Sequence, residues 1–250
     1  MTTAQEAPLL GVCLLSVNEK AEVHFARDLA AVLDLPMFVY PGGTKLPALG
    51  RTSEELQSLQ RTRLQSAIPG IQIAEHIVGE TGLVVVSNSL AQKEASGRAR
   101  SGLIMLAAHD EHRFNPHKKT KILVPFGRET TALKALKPAL FVAKKLDATI
   151  VLYHTTRPKA SCTSKDWRDH MVEGARETLR QALELCQVAG VKVELEITSV
   201  FPQLIAEGIA NAALDHDCFM IIMAVASDVV FGSHSLQILD FSTIPTLIMA

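Results

Sequence analysis

This sequence predicts an α/β protein that contains two copies of one small domain. The first observation is an internal repeat: ARDLAAVLDLPMFVY, beginning at Ala26, aligns without gaps with ALFVAKKLDATIVLY, beginning at Ala139. The second is that strand-like and helix-like segments alternate along both halves, as in a parallel sheet covered by helices. The identical pairs in the alignment are Ala26/Ala139, Ala30/Ala143, Leu33/Leu146, Asp34/Asp147 and Tyr40/Tyr153. A period of roughly 110 residues is too long for a solenoid repeat and indicates two domains.

The second half has the clearer pattern. Lys121 to Phe126 is a short apolar run, typical of a buried parallel strand, and residues 191–197 alternate as a strand does. Thr130 or Thr131 is a candidate helix cap, and Pro138 should kink the helix that follows or shift its start. The remaining predicted elements are strands at 148–154, 218–225 and 246–250, and helices at about 164–188, 202–214 and 233–240.

The first half repeats this order as far as Ala108. Its predicted strands are 9–17, 37–40, 71–78 and 103–108, and its predicted helices are 19–33, 53–67 and 83–95. Only the polar segment HDEHRFNPHKKT separates Ala108 from Lys121, which is too short for a further helix and strand. We therefore predict a first domain at 1–110 that lacks its last strand, a linker at 111–120 and a complete second domain at 121–250.

Composition and charge restrict the class of protein. Hydrophobic residues make up 48% of the chain and the formal net charge is -1, which gives no electrostatic reason to expect nucleic acid or an anionic membrane as a partner. No apolar run reaches the roughly 18 residues of a membrane span, and the N-terminus has no basic segment typical of a signal peptide. The four cysteines are scattered without a CxxC pair, which predicts reduced thiols and a cytoplasmic protein.

Residues 120–250 resemble the universal stress protein family. The resemblance depends on KILVPFGRETTALKALKPALFVAKKLDATIVLYH, on DHDCFMIIMA, and on GSHSLQIL followed by IPTLIMA. The first half of the chain resembles this family only through its similarity to the second half. The resemblance implies a tandem member with two Rossmann-like domains of the adenine nucleotide alpha hydrolase type, each with a parallel five-stranded sheet. It also implies dimerisation through the fifth strand and, in many members, ATP binding.

The nucleotide site that this resemblance implies is eroded. ATP-binding members carry an Asp directly after the first strand, and Gly127 has that position here. Their glycine-rich loop after the fourth strand holds phosphates because backbone N–H groups approach an anion only where no Cβ intrudes. In MAVASDVVFGSHS, Ala224 and Ser227 replace the paired glycines, and only Gly232 and Ser233 remain. These two either hold one anion at a helix N-terminus or form a turn and an N-cap. We expect no cofactor, with ATP left open.

Other polar segments offer little sign of catalysis. His109, His112 and His117 invite a metal interpretation, but their segment has no matching cysteines and is typical of a solvated linker. His154 ends a predicted strand, where it either contacts a ligand or is a satisfied polar residue. No GxSxG, Walker A, HExxH or GxGxxG motif occurs, so the sequence predicts a protein that is not an enzyme, with weak ATPase activity left open.

Assembly and function follow from these expectations. If the first domain lacks its last strand, the C-terminal strand has a free edge, and proteins normally pair or cover such edges. We therefore predict a homodimer through Thr246 to Ala250. The preferred function is a non-catalytic stress-response or regulatory protein that acts through a protein partner. The alternatives are an ATP-binding stress protein with slow ATPase activity, and a sensor of another small ligand in the crevice near Gly127, His154 and Ala226.

Overall fold

The strands of this protein join into one sheet. The computed structural model describes residues 11–14, 20–39, 72–73, 82–87, 104–108, 120–127, 129–156, 165–224, 237–238 and 241–249. Within these residues ten strands form a single sheet, and helices lie between strands along the chain. This arrangement confirms the predicted α/β class.

The elements have the following bounds. The strands of the first half are β1 (Gly11–Leu14), β2 (Met37–Val39), β3 (Gln72–Ile73), β4 (Gly82–Ser87) and β5 (Ile104–Ala108). The strands of the second half are β6 (Lys121–Pro125), β7 (Thr149–Thr156), β8 (Val193–Ser199), β9 (Cys218–Ala224) and β10 (Thr246–Met249). The helices are α1 (Lys20–Leu33), α2 (Glu129–Leu146), α3 (Lys165–Ala189) and α4 (Ile205–Asp215), with a 3₁₀ turn at Pro202–Leu204.

The two halves arrange their strands in the same order. The sheet runs β3-β2-β1-β4-β5-β10-β9-β6-β7-β8, so each half has its first strand between its second and fourth. All pairings within a half are parallel, whereas β5 and β10 are antiparallel. The carboxyl ends of the strands therefore lie at one edge of the sheet in the first half and at the opposite edge in the second.

The first half does have a fifth strand, so the prediction that it lacks one is wrong. The error arises at β4, where the sequence pattern predicts a helix from residue 83 onward. Its sequence GLVVVS contains three consecutive valines, and β-branched residues lose χ1 freedom in a helix but suit a pleated sheet. With β4 counted as a strand, β5 takes the fifth position.

The C-terminal strand has partners on both sides within the chain. Thr246 is in register with Ala107 of β5 on one side and with Ile221 of β9 on the other. The predicted homodimer through Thr246 to Ala250 is therefore wrong about this edge. The physical reason for the prediction, that an open edge needs a partner, still holds, but β5 of the same chain is the partner.

Both segments of the internal repeat contain the same type of helix ending. Asp34 follows α1 with φ 55° and Asp147 follows α2 with φ 48°, so both adopt the left-handed conformation that commonly ends helices. The closing hydrogen bonds are Leu35 N–H to Ala30 O and Ala148 N–H to Ala143 O, both 2.9 Å. Of the repeated residues, the aspartates adopt the positive φ and the alanines supply the carbonyls that accept the closing bonds.

The main hydrophobic core lies on one face of the sheet and includes residues from both halves. Leu29 and Leu33 of α1 belong to the same buried cluster as Leu136 of α2, Leu179 of α3 and Ile150 of β7. The other face is covered in the second half by α4, which contacts β6, β7 and β9. The helices of the two halves thus share one core, and α4 has a separate contact surface.

Pro138 does not shift the start of α2. The helix begins at Glu129 and includes Pro138 in its interior. Proline there leaves one backbone carbonyl of the preceding turn without its usual helical donor. Leu136 and Ala139 on either side are fully buried, so tertiary packing outweighs the local cost.

Candidate functional site

The carboxyl ends of β6 and β7 form the described part of the candidate site. Open α/β sheets bind ligands beyond the carboxyl ends of their strands. β6 ends at Pro125, in register with Tyr153 of β7, and the chain continues through Phe126 to Gly127. The structure therefore places two of the five predicted site residues, Gly127 and His154, near the carboxyl ends of neighbouring strands.

The imidazole of His154 is held by the backbone of the neighbouring strand. Its Nδ1 lies 2.7 Å from the carbonyl oxygen of Phe126. Because a carbonyl only accepts, Nδ1 carries the proton, and Nε2 is the acceptor of the neutral ring. The Phe126 N–H in turn donates to the carbonyl of Tyr153 at 2.7 Å. Two hydrogen bonds thus fix the exit of β6 and the orientation of the half-buried His154 ring.

The structure around position 127 does not require a glycine. It is exposed, its φ is not positive, and a Cβ built on it would meet no atom within 4 Å. A side chain at this position is therefore compatible with the backbone and with the space around it. The fold would accept an aspartate at position 127, so it does not explain why the sequence has glycine there.

Hydroxyl groups beside His154 are hydrogen-bonded to the protein backbone. Thr156 Oγ1 donates to the carbonyl of Thr198 at 3.2 Å, and Ser199 Oγ donates to the carbonyl of Thr156 at 3.5 Å. The Val200 N–H also donates to the carbonyl of Thr156, at 3.2 Å. These contacts hold the ends of β7 and β8 together. Sequence reasoning missed them, although the polar pair Thr155 and Thr156 after an apolar strand was an available signal.

Tyr153 supports the site from the opposite face of β7. Its ring is fully buried, and its hydroxyl lies 3.3 Å from Thr198 Oγ1. A Cβ on Gly208 of α4 would lie 2.8 Å from the same hydroxyl, so α4 approaches the sheet closely at this point. Burial raises the pKa of the Tyr153 phenol, and the carboxylate of Glu196 acts in the same direction. The phenol is therefore a neutral packing group directly before His154.

Three of the predicted site residues are not placed by the structure. Ala226, Gly232 and Ser233 lie outside the described residues, since β9 ends at Ala224 and the description resumes at residue 237. The histidines considered as metal ligands, which are His109, His112 and His117, also lie outside. Of the five residues predicted to bind a ligand, the structure therefore describes Gly127 and His154.

Metal-binding clusters and membrane-spanning helices are absent from the described part of the chain. There, no group of three or more His, Cys, Asp or Glu side chains could hold a metal ion. None of the helices described has both the length and the apolar character needed to cross a membrane. The described elements therefore offer neither a metal centre nor a membrane span.

The two cysteines with described side chains lie in buried surroundings that disfavour their reactive thiolate form. Cys186 and Cys218 are buried and form no disulfide. Burial raises the pKa of the Cys186 thiol to about 11 and that of the Cys218 thiol to about 12. Because the thiolate is the nucleophilic form, neither residue suits nucleophilic catalysis near neutral pH.

A charged cluster lies near the amino end of β6, away from His154. Lys121 Nζ is 2.7 Å from Glu194 Oε2. The ring of His216 lies between two carboxylates, with Nδ1 3.6 Å from Glu194 Oε2 and Nε2 3.3 Å from Glu196 Oε2. These contacts join the residue after α4 to β8 and β6, so we interpret the cluster as a structural link.

Solved structures with a similar fold cover nearly the whole chain. A universal stress protein from Archaeoglobus fulgidus DSM 4304 has 16% identity and a TM-score of 0.57, with 96% of each chain covered. A functionally unknown protein, PA1789 from Pseudomonas aeruginosa PAO1, has 12% identity and a TM-score of 0.62, covering 96% of this chain and 92% of its own. A putative universal stress protein from Pseudomonas aeruginosa UCBPP-PA14 has 13% identity, a TM-score of 0.61 and the same coverage. At these identities the likeness is one of fold alone.

The sequence comparisons bear on the second half. No curated protein matches the chain significantly. The model of the universal stress protein family matches residues 119–249, which is more than half of the chain and includes the strand ends that carry Gly127 and His154. The chain therefore belongs to the universal stress protein family.

Proposed function

We propose that this chain is a non-catalytic stress-response or regulatory protein that acts through a protein partner, with an eroded nucleotide site in its second half. One observation carries the proposal. At the end of β6, Gly127 supplies no carboxylate where the sequence resemblance implies an aspartate in ATP-binding members. Neither the φ of Gly127 nor its surroundings require glycine. The absence of an aspartate therefore brings no advantage to the backbone, and its effect is to remove a carboxylate from the site.

The neighbouring side chains support a role without catalysis. General acid–base catalysis needs a side chain placed within hydrogen-bond reach of the reacting group. Of the groups described at this edge, Thr156 and Ser199 donate their hydroxyl protons to backbone carbonyls. Nδ1 of His154 is held by the Phe126 carbonyl. The hydrogen-bonding capacity of these residues is thus used largely to hold the strand ends together.

A second candidate function is a sensor of a small ligand at the same edge. The observation in its favour is the half-buried ring of His154, whose Nδ1–H bond to the Phe126 carbonyl leaves Nε2 as the acceptor of the neutral ring. This ring would bind a hydrogen-bond donor. The third candidate, ATP binding with slow hydrolysis, depends on Gly232 and Ser233 and has no support from the described residues.

The proposal also concerns location and assembly. A cytoplasmic protein without nucleic-acid or membrane partners is supported by the net charge of -1 and by four cysteines without a CxxC pair. Dimerisation through the C-terminal strand is not included, because β10 already pairs with β5 and β9. A protein partner would have to use another surface.

The first experiment is calorimetric titration of the 250-residue chain with ATP·Mg²⁺. We expect no binding in the micromolar range by the wild-type protein. Gly127→Asp returns the carboxylate to a position where a Cβ meets nothing within 4 Å, so this variant should fold normally and any affinity it gains would measure what the residue contributes. Gly174→Asp is the matched control, because that glycine of α3 is also exposed and equally open.

The outcomes separate the three candidates. Micromolar ATP binding by the wild type would contradict the eroded site, and its loss in Gly232→Val would then assign phosphate binding to the loop that contains Gly232. Mass spectrometry of material released on denaturation tests the sensor. A co-purified small molecule that disappears in His154→Ala and remains in the Gly174→Asp control would support a ligand at Nε2. Absence of both nucleotide binding and a released ligand would support the preferred function.

A further inference from the structure

We draw no further inference here: the strongest candidate, the exposed apolar patch formed by Phe201 and Leu204 at the carboxyl end of β8, carries nothing because nothing in the described residues shows what covers it.

Discussion

Aspartates in the left-handed conformation follow three of the helices. Asp34, Asp147 and Asp217 have φ values of 55°, 48° and 53°. For most L-residues this conformation costs about 1–2 kcal/mol of strain, because Cβ approaches the next carbonyl oxygen. The strain is smaller for aspartate, since its short polar side chain can hydrogen-bond locally. A chain that uses aspartate where glycine is commoner keeps its turns but retains some of that strain.

Replacement of Asp147 by glycine should stabilise the protein. We expect the free energy of unfolding to rise by about 0.5–1 kcal/mol, because relief of about 1–2 kcal/mol of left-handed strain exceeds the roughly 0.4–1 kcal/mol entropy cost of glycine in the unfolded chain. Asp147→Val should lower it by about 1–2 kcal/mol, since a β-branched side chain is poorly tolerated there. Urea denaturation followed by circular dichroism measures both changes.

Two controls separate the backbone effect of Asp147→Gly from other causes. Asp147→Asn removes the same negative charge near the C-terminus of α2 but keeps a residue that tolerates the left-handed region, so the difference between Gly and Asn reports the backbone. Asp215→Gly makes the same substitution within α4, where it should destabilise. A gain at position 215 equal to that at position 147 would contradict the explanation.

Burial of Cys186 and Cys218 predicts that both thiols are protected in the native protein. Their raised pKa values, about 11 and about 12, leave a small thiolate fraction at pH 8, and their positions in the core exclude reagents. In a Cys13→Ala, Cys162→Ala variant, which keeps only these two of the four cysteines, we expect no fast reaction with Ellman's reagent. Two equivalents should react in denaturant. Rapid labelling of either thiol in the folded protein would contradict the burial of these two side chains.

At the scale of elements, the position of α4 depends on a close approach between a helix and a strand. Gly208 lets the helix come so near β7 that a Cβ would lie 2.8 Å from the Tyr153 hydroxyl. That hydroxyl has little freedom to move, because its ring is buried and it lies 3.3 Å from Thr198 Oγ1. The same strand carries His154, so the helix contact and the candidate site share one support.

Gly208→Ala should therefore destabilise the protein although alanine is the better helix former. Alanine in a helix interior is worth roughly 0.5–1 kcal/mol over glycine, whereas overpacking a buried contact costs about 1–3 kcal/mol. We expect a net loss of about 1–2 kcal/mol in the free energy of unfolding, measured by urea denaturation.

The source of this loss can be tested directly. In a Tyr153→Phe background the hydroxyl is gone, so Gly208→Ala should cost less than it does in the wild type, and the difference gives the coupling between the two positions. Gly174→Ala, in α3 and with nothing within 4 Å of its Cβ, should instead stabilise the protein. Equal costs of Gly208→Ala in both backgrounds would exclude the hydroxyl as the cause.

The elements of the second half were predictable because their local patterns agree with their burial. The run beginning at Lys121 has a fully buried centre and the segment beginning at Cys218 is buried for six residues, as their continuous apolar sequences indicate. The valines of the segment at Gly82–Ser87 favour a strand, but a short apolar run does not by itself exclude a helix. Its partners decide the matter, and they lie in β1 and β5.

The candidate site was predictable only to the extent that it follows from topology. Gly127 and His154 were expected at the same edge because each follows or ends a strand in a parallel sheet, and the structure places both near the carboxyl ends of neighbouring strands. The bond from His154 Nδ1 to the Phe126 carbonyl and the approach of Gly208 to Tyr153 could not be predicted. Both depend on side-chain and helix positions that no local pattern encodes.

At the scale of the whole molecule, the described residues join the two halves both through the sheet and through the core. The antiparallel pair β5–β10 makes the sheet continuous, and the cluster that contains Leu29 of α1 and Leu136 of α2 makes one core continuous. A core shared in this way should unfold as a unit, because neither half can expose its side of it without the other. The first half is thus a structural partner of the second, whatever ligands it has lost or kept.

Separation of the halves should reveal what the first one covers. A fragment of residues 119–250 contains the whole family match at 119–249, but it leaves β10 with a free edge and removes α1 from the core beside α2. Because exposed strand edges pair readily, we expect the fragment to self-associate at micromolar concentration to a higher oligomeric state than the 250-residue chain, as measured by light scattering during size exclusion. A folded, monomeric fragment would contradict this expectation. So would a dimer of the 250-residue chain that dissociates when residues 246–250 are deleted, since that result would mean that β10 pairs between chains and not with β5.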